Sequence, residues 1–258
     1  MQDDNFSLNG KSIIVTGAAQ GIGRAIAQLG LDLGATVTAV DLNADALNTF
    51  ADEAGHERLL PISGSVADAD FATQVVAQAA EKFGSVHGLV NNAGITRPAM
   101  IEKMSKESWQ QVLDVHLSGS FFFLQAVGRH ILARVRGGDK TAGSIVNISS
   151  DAGRKGTIGQ VNYSAAKAGL YGVTMSAARE WAKYGLRVNT VGFGVVETPM
   201  TEMIRGEKFR DIYLAQIPLG RWAEPREVAR PVCFLLSDAA SYVTGQHLSA
   251  NGGYTIGM

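Results

Sequence analysis

Short runs of apolar, β-branched residues alternate with segments of helical periodicity along almost the whole chain. The apolar runs predict strands at residues 11–16, 36–40, 59–62, 88–90, 144–148, 187–191 and 246–248. The amphipathic segments predict helices at residues 22–33, 44–53, 68–83, 106–134 and 161–184. Strands separated by helices pair in parallel through right-handed crossovers. We therefore expect an α/β protein with a doubly wound parallel sheet and helices on both faces.

The composition is that of one ordinary globular domain. The chain has 258 residues, 46% of them hydrophobic, and shows no composition break, linker or internal repeat, so we expect a single domain over residues 1–258. No apolar run reaches the roughly 18 residues of a membrane span, and residues 1–5 lack a signal-peptide pattern. The lone cysteine, Cys233, excludes an intramolecular disulfide and suits a reducing compartment. A cytoplasmic protein is therefore expected.

The charges of the chain are nearly balanced. There are 23 Lys and Arg against 24 Asp and Glu, a net charge of −1, and no basic cluster stands out. A nucleic-acid or membrane partner is therefore not expected, and the electrostatics are those of a protein that binds small molecules. No metal site is predicted.

A glycine-rich turn directly follows the first predicted strand and opens the first predicted helix, over residues 16–23. Glycines there allow a sharp turn and a close approach of the backbone to a pyrophosphate, whose charge meets the amide groups and the positive end of the helix dipole. The position of the turn indicates dinucleotide binding. The candidate cofactor-binding residues of the turn are Gly17, Gln20, Gly21, Ile22 and Gly23.

Asp41 ends the second predicted strand, 18 positions after Gly23. A carboxylate at this place can accept hydrogen bonds from an adenosine ribose and would repel a 2′-phosphate, which favours NAD over NADP. Neither Gln20 nor Leu42 offers the positive charge that a 2′-phosphate needs. The alternative is that Asp41 caps the helix that follows.

Tyr163 and Lys167 are four residues apart in a predicted helix and so share one face. A positive charge about 4 Å from the phenolic oxygen, at an effective dielectric constant near 20, would stabilise the phenolate by about 4 kcal/mol, or roughly three pKa units. That would make the tyrosine a proton-transfer catalyst near neutral pH. Alone, the pair is also compatible with an ordinary helix face.

Taken together, the motifs resemble those of the short-chain dehydrogenase/reductase family, from about residue 7 to the carboxyl terminus. The motifs are Thr16-Gly17-x-x-x-Gly21-x-Gly23, Asn91-Asn92-Ala93-Gly94, Ser150 thirteen positions before Tyr163, Tyr163-x-x-x-Lys167 and Arg187-Val188-Asn189. The resemblance implies a Rossmann-like fold, a nicotinamide cofactor and hydride transfer between the cofactor and a carbinol carbon.

The resemblance also implies a role for each matching residue. Tyr163 would exchange a proton with the substrate oxygen, Ser150 would hydrogen-bond that oxygen, and Lys167 would hold the nicotinamide ribose and lower the pKa of the tyrosine. The remaining cofactor contacts implied are Ser65, Val66, Asn92, Ala93, Gly94, Val196 and Thr198.

Three positions depart from the family pattern. His116 stands where the family has an asparagine that helps to link the lysine to solvent, and an imidazole can also donate and accept there. We therefore expect His116 to support a proton relay, with an uninvolved helix histidine as the alternative. Phe193 replaces the usual proline beside the nicotinamide, and Ser65 replaces an aspartate beside the adenine.

The expected activity is the interconversion of a secondary alcohol and a ketone with NAD(H). The segments 162–169, 197–200 and 217–221 are most similar to those of 3-oxoacyl-thioester reductases, such as the acyl-carrier-protein reductases. A catabolic alcohol, steroid or sugar dehydrogenase of the same family is the alternative, and a non-catalytic NAD-binding sensor is one of another class. The family also implies a substrate lid at about residues 198–218 and a homotetramer.

Overall fold

Seven parallel strands form a single sheet in the computed structural model, which describes residues 5–55, 57–141 and 143–257. The predicted domain over residues 1–258 thus includes a few positions outside the described residues. The strands are β1 (Ser12–Thr16), β2 (Thr36–Asp41), β3 (Leu59–Ser63), β4 (Gly88–Asn91), β5 (Gly143–Ser150), β6 (Leu186–Phe193) and β7 (His247–Ala250). Their order is β3-β2-β1-β4-β5-β6-β7. The predicted fold class is confirmed.

The helices connect successive strands and cover both faces of the sheet. They are α1 (Gly21–Asp32), α2 (Ala44–Ala54), α3 (Ala69–Phe83), α4 (Lys106–Leu113), α5 (Gly119–Arg136), α6 (Ala152–Lys155), α7 (Val161–Trp181), α8 (Glu202–Arg205), α9 (Glu207–Leu214) and α10 (Pro225–Leu236). Shorter 3-10 turns lie at Ile101–Lys103, Ala182–Tyr184, Pro199–Thr201 and Asp238–Ala240. Among the described residues, no helix is both long and apolar enough to cross a membrane.

Two predicted helices differ from the observed ones. The segment 106–134 is interrupted by a π-helical turn at Asp114–Ser118, where the Gly119 N–H donates to the Asp114 carbonyl five residues earlier. The segment 161–184 leaves the α-helix at Trp181 and tightens into a 3-10 turn before Gly185, whose φ is +76°. Helix α10 has no predicted counterpart, and it contains Pro231, a residue type that is disfavoured inside a helix.

Apolar side chains fill the space on both sides of the sheet, as expected for parallel strands that are covered by helices. One cluster joins the sheet to α1 and α10, with Ile26 and Val232 fully buried. The other joins it to α3 and α5, where Phe123 is fully buried. The long strands β5 and β6 run between these layers and are almost entirely buried, which holds their carboxyl ends rigidly.

A chain of buried polar side chains crosses the sheet near those carboxyl ends. The Asn91 side-chain amide donates to Asn147 Oδ1 at 2.9 Å, and the Asn147 amide donates to Thr174 Oγ1 at 2.8 Å. Thr190 Oγ1 donates to the same Thr174 hydroxyl at 2.7 Å. Buried polar groups are tolerated when they are paired, so this chain sets the relative positions of β4, β5, β6 and α7.

Two histidines accept backbone hydrogen bonds at the opposite, amino-terminal edge of the sheet. His87 Nδ1 accepts the Ser12 N–H at 3.1 Å, and His130 Nε2 accepts the Val86 N–H at 3.2 Å. Burial, helped by the charge of Arg134, lowers the pKa of His87 to about 4 and also lowers the pKa of His130. Both imidazoles are therefore neutral in the folded protein at pH values where an unfolded chain would protonate them.

This arrangement predicts acid sensitivity of folding. Below pH 6.5 the unfolded state binds more protons at His87 than the native state does. The contribution of His87 to the free energy of unfolding is therefore fully present above about pH 6.5 and is lost as the pH falls towards 4. His87→Asn keeps an acceptor near the Nδ1 position but does not titrate, so the variant should lose less stability than the wild type between pH 7 and pH 5, by on the order of 1 kcal/mol. Urea denaturation at both pH values measures this. Equal losses in the two proteins would contradict it.

Candidate active site

A cavity of about 380 Å³ opens at the carboxyl ends of the strands, around the point between β1 and β4 where the strand order reverses. Ligands of open α/β sheets bind at such a point. The cavity brings together the site residues predicted from the sequence: Gly17, Gln20, Gly21, Ile22, Gly23, Asp41, Ser65, Val66, Asn92, Ala93, Gly94, His116, Ser150, Tyr163, Lys167, Val196 and Thr198.

The glycine turn leaves room for a ligand and none for side chains. Gly17 has a φ of +68°, and a Cβ there would lie 2.8 Å from Ala93 Cα. A Cβ on Gly23 would lie 1.9 Å from the Gly17 carbonyl oxygen. The preceding Gln20 does not cap α1 with its side chain, so the first amide groups of the helix are available to an anion. This cradle fits the diphosphate of a dinucleotide.

Thr16 and Asn92 fix the glycine turn against the loop that follows β4. Thr16 Oγ1 accepts the N–H groups of Asn92 and Ala93 at 3.0 and 3.1 Å. The Asn92 side-chain amide donates back to the carbonyls of Thr16 and Gly17 at 3.0 and 3.2 Å. The two cavity walls are therefore joined by four hydrogen bonds, which hold the cradle in shape before any ligand binds.

The Asp41 carboxylate lines the cavity at the end of β2. Oδ2 accepts the Ala19 N–H and Oδ1 accepts the Asn43 N–H, each at 3.1 Å. The cap of α2 is Asn43, whose side chain accepts the Ala46 N–H, so the alternative that Asp41 caps this helix is not what the structure shows. Ser65 lies nearby and accepts the Ala67 N–H at 3.3 Å. A carboxylate thus lines this part of the cavity, next to the Ser65 hydroxyl.

Tyr163 and Ser150 meet on the opposite side of the cavity, on α7 and at the end of β5. Burial raises the pKa of the Tyr163 phenol and outweighs the opposite effect of the Ser150 hydroxyl. The lowering by Lys167 that the spacing predicts is therefore not observed. The expectation ignored burial, which disfavours the charged phenolate.

Lys167 shares the helix face with Tyr163, as predicted, but its charge is weakened. Its ammonium lies 5.5 Å from the centroid of the Tyr163 ring and donates to the Ile148 carbonyl at 2.6 Å. Burial lowers the pKa of Lys167 to about 7. At neutral pH this lysine is consequently close to half protonated.

His116 lies in the π-helical turn, with its ring edge-on to the Tyr163 ring at a centroid distance of 5.1 Å. Its Nε2 is 2.7 Å from the Ile95 carbonyl oxygen and 2.9 Å from the Ile95 nitrogen. Nδ1 is buried and has no hydrogen-bond partner within the described part of the chain. Burial and the charge of Lys167 lower the pKa of His116 to about 3, so the imidazole is neutral. A Cβ on Gly94 would lie 2.3 Å from its Cε1.

Several functional contacts were not predicted from the sequence. Lys167 and His116 contact the backbone carbonyl oxygens of Ile148 and Ile95, and the identity of a side chain does not reveal such backbone contacts. Thr201 also lines the cavity, and its hydroxyl donates to the Val196 carbonyl and accepts the Thr198 N–H at 3.3 Å. Across the described residues, no group of three or more His, Cys, Asp or Glu side chains is placed to hold a metal ion.

Comparison with known proteins gives relatives of nearly equal length. A family model described as enoyl-(acyl carrier protein) reductase matches residues 17–255. A 3-oxoacyl-(acyl-carrier-protein) reductase from Thermotoga maritima is 43% identical over 251 residues, which are 96% of this chain and 99% of the relative.

Two solved structures share the fold. A protein from Brucella melitensis described as a short-chain dehydrogenase/reductase, glucose/ribitol dehydrogenase, has a TM-score of 0.89 and 34% identity, with 96% of this chain and 98% of that chain covered. A putative NAD(P)-dependent gluconate 5-dehydrogenase from Beutenbergia cavernae, with bound NADP at low occupancy, has a TM-score of 0.87 and 37% identity, with 97% and 98% covered.

Proposed function

The chain belongs to the short-chain dehydrogenase/reductase family, and from this premise we propose that it interconverts a 3-oxoacyl thioester and the corresponding 3-hydroxyacyl thioester with NAD(H). The observation that carries the proposal is that Ser150, Tyr163 and Lys167 line the same cavity as the glycine turn. There a serine hydroxyl and a protonated phenol can both donate a hydrogen bond to one carbonyl oxygen of a substrate. The 43% identity to a reductase of 3-oxoacyl thioesters supports the substrate class.

In this proposal the protein positions the reactants and handles the proton. Tyr163 donates a proton to the substrate oxygen during reduction and takes it back during oxidation, while the Ser150 hydroxyl hydrogen-bonds that oxygen. Lys167 lies below the phenol and binds the ribose next to the nicotinamide. The nicotinamide cofactor supplies or accepts the hydride when it is bound. Orientation within the rigid cavity contributes the remaining part of the rate.

The choice of NAD rests on Asp41. Its carboxylate is fixed by two backbone amides and faces the adenosine end of the cavity. A 2′-phosphate would bring a second negative charge to this place without a basic partner from Gln20 or Leu42. The cofactor contacts proposed are Gly17, Gln20, Gly21, Ile22, Gly23, Asp41, Ser65, Val66, Asn92, Ala93, Gly94, Tyr163, Lys167, Val196 and Thr198.

Two other functions remain alternatives. A sugar, steroid or other alcohol dehydrogenase of the same family would use the same residues, and the two structural neighbours carry sugar-related names. A non-catalytic NAD-binding sensor would use the cradle alone. The presence of Ser150, Tyr163 and Lys167 in one cavity favours an enzyme over a sensor.

We also propose a cytoplasmic homotetramer. Phe121 on α5 and Met175 on α7 expose apolar surface, at 42% and 51% of their full accessibility. These helices would form one interface, and the region of residues 249–253 after β7 would contribute to another. The lone buried thiol of Cys233 supports a reducing compartment.

Replacement of Tyr163 by Phe tests the catalytic role. The variant retains the aromatic ring but lacks the phenolic hydroxyl that donates the proton, so turnover should fall by roughly 100-fold or more. Activity is measured at 340 nm with acetoacetyl-CoA, simple ketones, steroids and sugars, and NADH binding is measured by fluorescence. Binding should be unchanged. Tyr242→Phe, at a fully exposed tyrosine, is the matched control. Full turnover in Tyr163→Phe would show that another group supplies the proton, whereas NADH binding without turnover in the wild type would favour a sensor.

Cofactor preference tests Asp41. The wild type should have a higher kcat/KM with NADH than with NADPH, and Asp41→Ala should shift the ratio towards NADPH by about tenfold, or about 1.4 kcal/mol. Asp45→Ala, which removes a carboxylate from the exposed first turn of α2, is the control. A tenfold preference of the wild type for NADPH would show that the proposed role of Asp41 is wrong.

We propose that His116 is a positioning residue that supports the proton path behind Lys167, through its Nδ1, which has no hydrogen-bond partner among the described residues. His116→Ala should lower kcat several-fold and leave the NADH dissociation constant unchanged. His116→Asn, whose amide donates and accepts, should recover most of the turnover, whereas His116→Leu should not. The pH profile of kcat should shift in the alanine variant. An unchanged kcat and an unchanged pH profile in His116→Ala would contradict this proposal.

A further inference from the structure

Asp151 follows Ser150 directly and is almost completely buried, at 3% exposure. Its backbone N–H donates to the Phe193 carbonyl at 3.2 Å, and its carbonyl accepts the N–H groups of Arg154 and Lys155 at 3.0 Å. The backbone of Asp151 therefore joins the end of β5 to the end of β6 and begins α6. A displacement of Asp151 would be transmitted to Ser150 through one peptide bond.

The Asp151 side chain reaches the segment of residues 251–255, which we call the C-terminal bridge. Oδ1 accepts the side-chain N–H of Asn251 at 2.8 Å, whereas the buried Oδ2 and the buried Thr255 hydroxyl have no hydrogen-bond partner within the described part of the chain. Asn251 in turn orders the bridge, because its Oδ1 accepts the Gly253 N–H at 3.0 Å and its amide donates to the Thr255 carbonyl at 3.2 Å. The Asp151–Asn251 pair thus lies at the centre of a buried polar group.

The other side of the C-terminal bridge holds the end of the lid. The Leu219 N–H donates to the Gly252 carbonyl at 3.1 Å. Gly252 has a φ of +64°, and a Cβ there would lie 2.9 Å from Ile217 Cγ2. A Cβ on Gly253 would lie 2.8 Å from Pro218 Cγ. The backbone of the C-terminal bridge is therefore in direct contact with the end of the lid. Side chains at Gly252 and Gly253 would prevent this contact.

Aromatic contacts also join the C-terminal bridge to the lid and to α6. Tyr254 of the bridge stacks with Tyr213 of the lid helix α9 at a centroid distance of 6.5 Å. The Lys155 ammonium of α6 lies 3.3 Å from the centroid of the Tyr254 ring. This is well within the range of a cation–π interaction. The turn after Ser150, the bridge and the lid thus form one continuous set of contacts.

We propose that Asp151 is a positioning residue that couples the lid to Ser150 through the C-terminal bridge. Closure of the lid over a substrate then restricts the motion of the turn that carries the Ser150 hydroxyl. The lid and this hydroxyl, which donates the hydrogen bond to the substrate, are therefore ordered together. The inference rests on the proposed roles of Ser150 and the lid in catalysis. The structural coupling itself requires no assumption about the substrate.

Hydrogen exchange of the full chain, measured by mass spectrometry without added ligand, tests the coupling. In Asp151→Ala, amides of residues 207–219 and 251–255 should exchange about five- to tenfold faster, whereas amides of β1 and β4 should be unchanged. Asp151→Asn retains an oxygen that can accept the Asn251 N–H, so its exchange should stay within twofold of the wild type. Asp70→Ala, at an exposed carboxylate of α3, is the matched control. If Asp151→Ala does not fold, Asn251→Ala provides the same test.

Kinetics then tests the consequence for the reaction. Asp151→Ala should raise the KM for the ketone and lower kcat, with no change in the NADH dissociation constant, and Asp151→Asn should recover both values. Unchanged lid exchange in Asp151→Ala, or equal acceleration in every segment, would overturn the proposal. If no ketone is reduced by the wild type, the proposed function fails, but a selective change in lid exchange would still support the coupling.

Discussion

Buried polar groups at the carboxyl edge of the sheet each require a hydrogen-bond partner, and the geometry of the site depends on this requirement. The Thr16 hydroxyl oxygen accepts hydrogen bonds from two backbone N–H groups of the loop after β4. Asn91 and Asn147 are paired across β4 and β5, and Asn147 continues the connection to α7 through Thr174. The strand ends cannot separate without leaving buried donors unpaired. The glycine turn, Ser150 at the end of β5 and helix α7 are consequently held in fixed relative positions.

The same burial controls the charges inside the cavity. It raises the pKa of Tyr163, lowers that of Lys167 to about 7 and lowers that of His116 to about 3. Each of these shifts disfavours the charged form of the side chain. The floor of the cavity is thus weakly charged at neutral pH, while the carboxylate of Asp41 lies at the far end. In the proposed function, charge selection of the cofactor and proton transfer to the substrate are therefore separated in space.

Local patterns were sufficient to predict much of this protein. The glycine turn, Asp41 and the spacing of Ser150, Tyr163 and Lys167 are properties of short segments, and all of these residues line one cavity. The π-helical turn at Asp114–Ser118 could not be predicted, because periodicity continues through it and its His116 bonds to a distant residue, Ile95.

The pKa of Tyr163 was predicted in the wrong direction for a related reason. The spacing of the tyrosine and lysine in the helix reveals their separation but not how deeply the surrounding elements bury them. Burial depends on packing between β5, α7 and the loop after β4, and these are far apart in sequence. Interactions within one element were therefore predictable, whereas those set by several elements were not.

The protonation state of Tyr163 bears on the direction of the proposed reaction. A phenol whose pKa is raised by burial keeps its proton at neutral pH, and it can donate that proton to a carbonyl oxygen without prior ionisation. Oxidation of an alcohol would instead need the phenolate, which this environment disfavours. Since Lys167 is close to half protonated near pH 7, it gives the phenolate only partial compensation. In the proposed reaction, the folded protein thus holds Tyr163 in the protonated form that reduction of a ketone uses, whereas oxidation of an alcohol requires the phenol to lose its proton first.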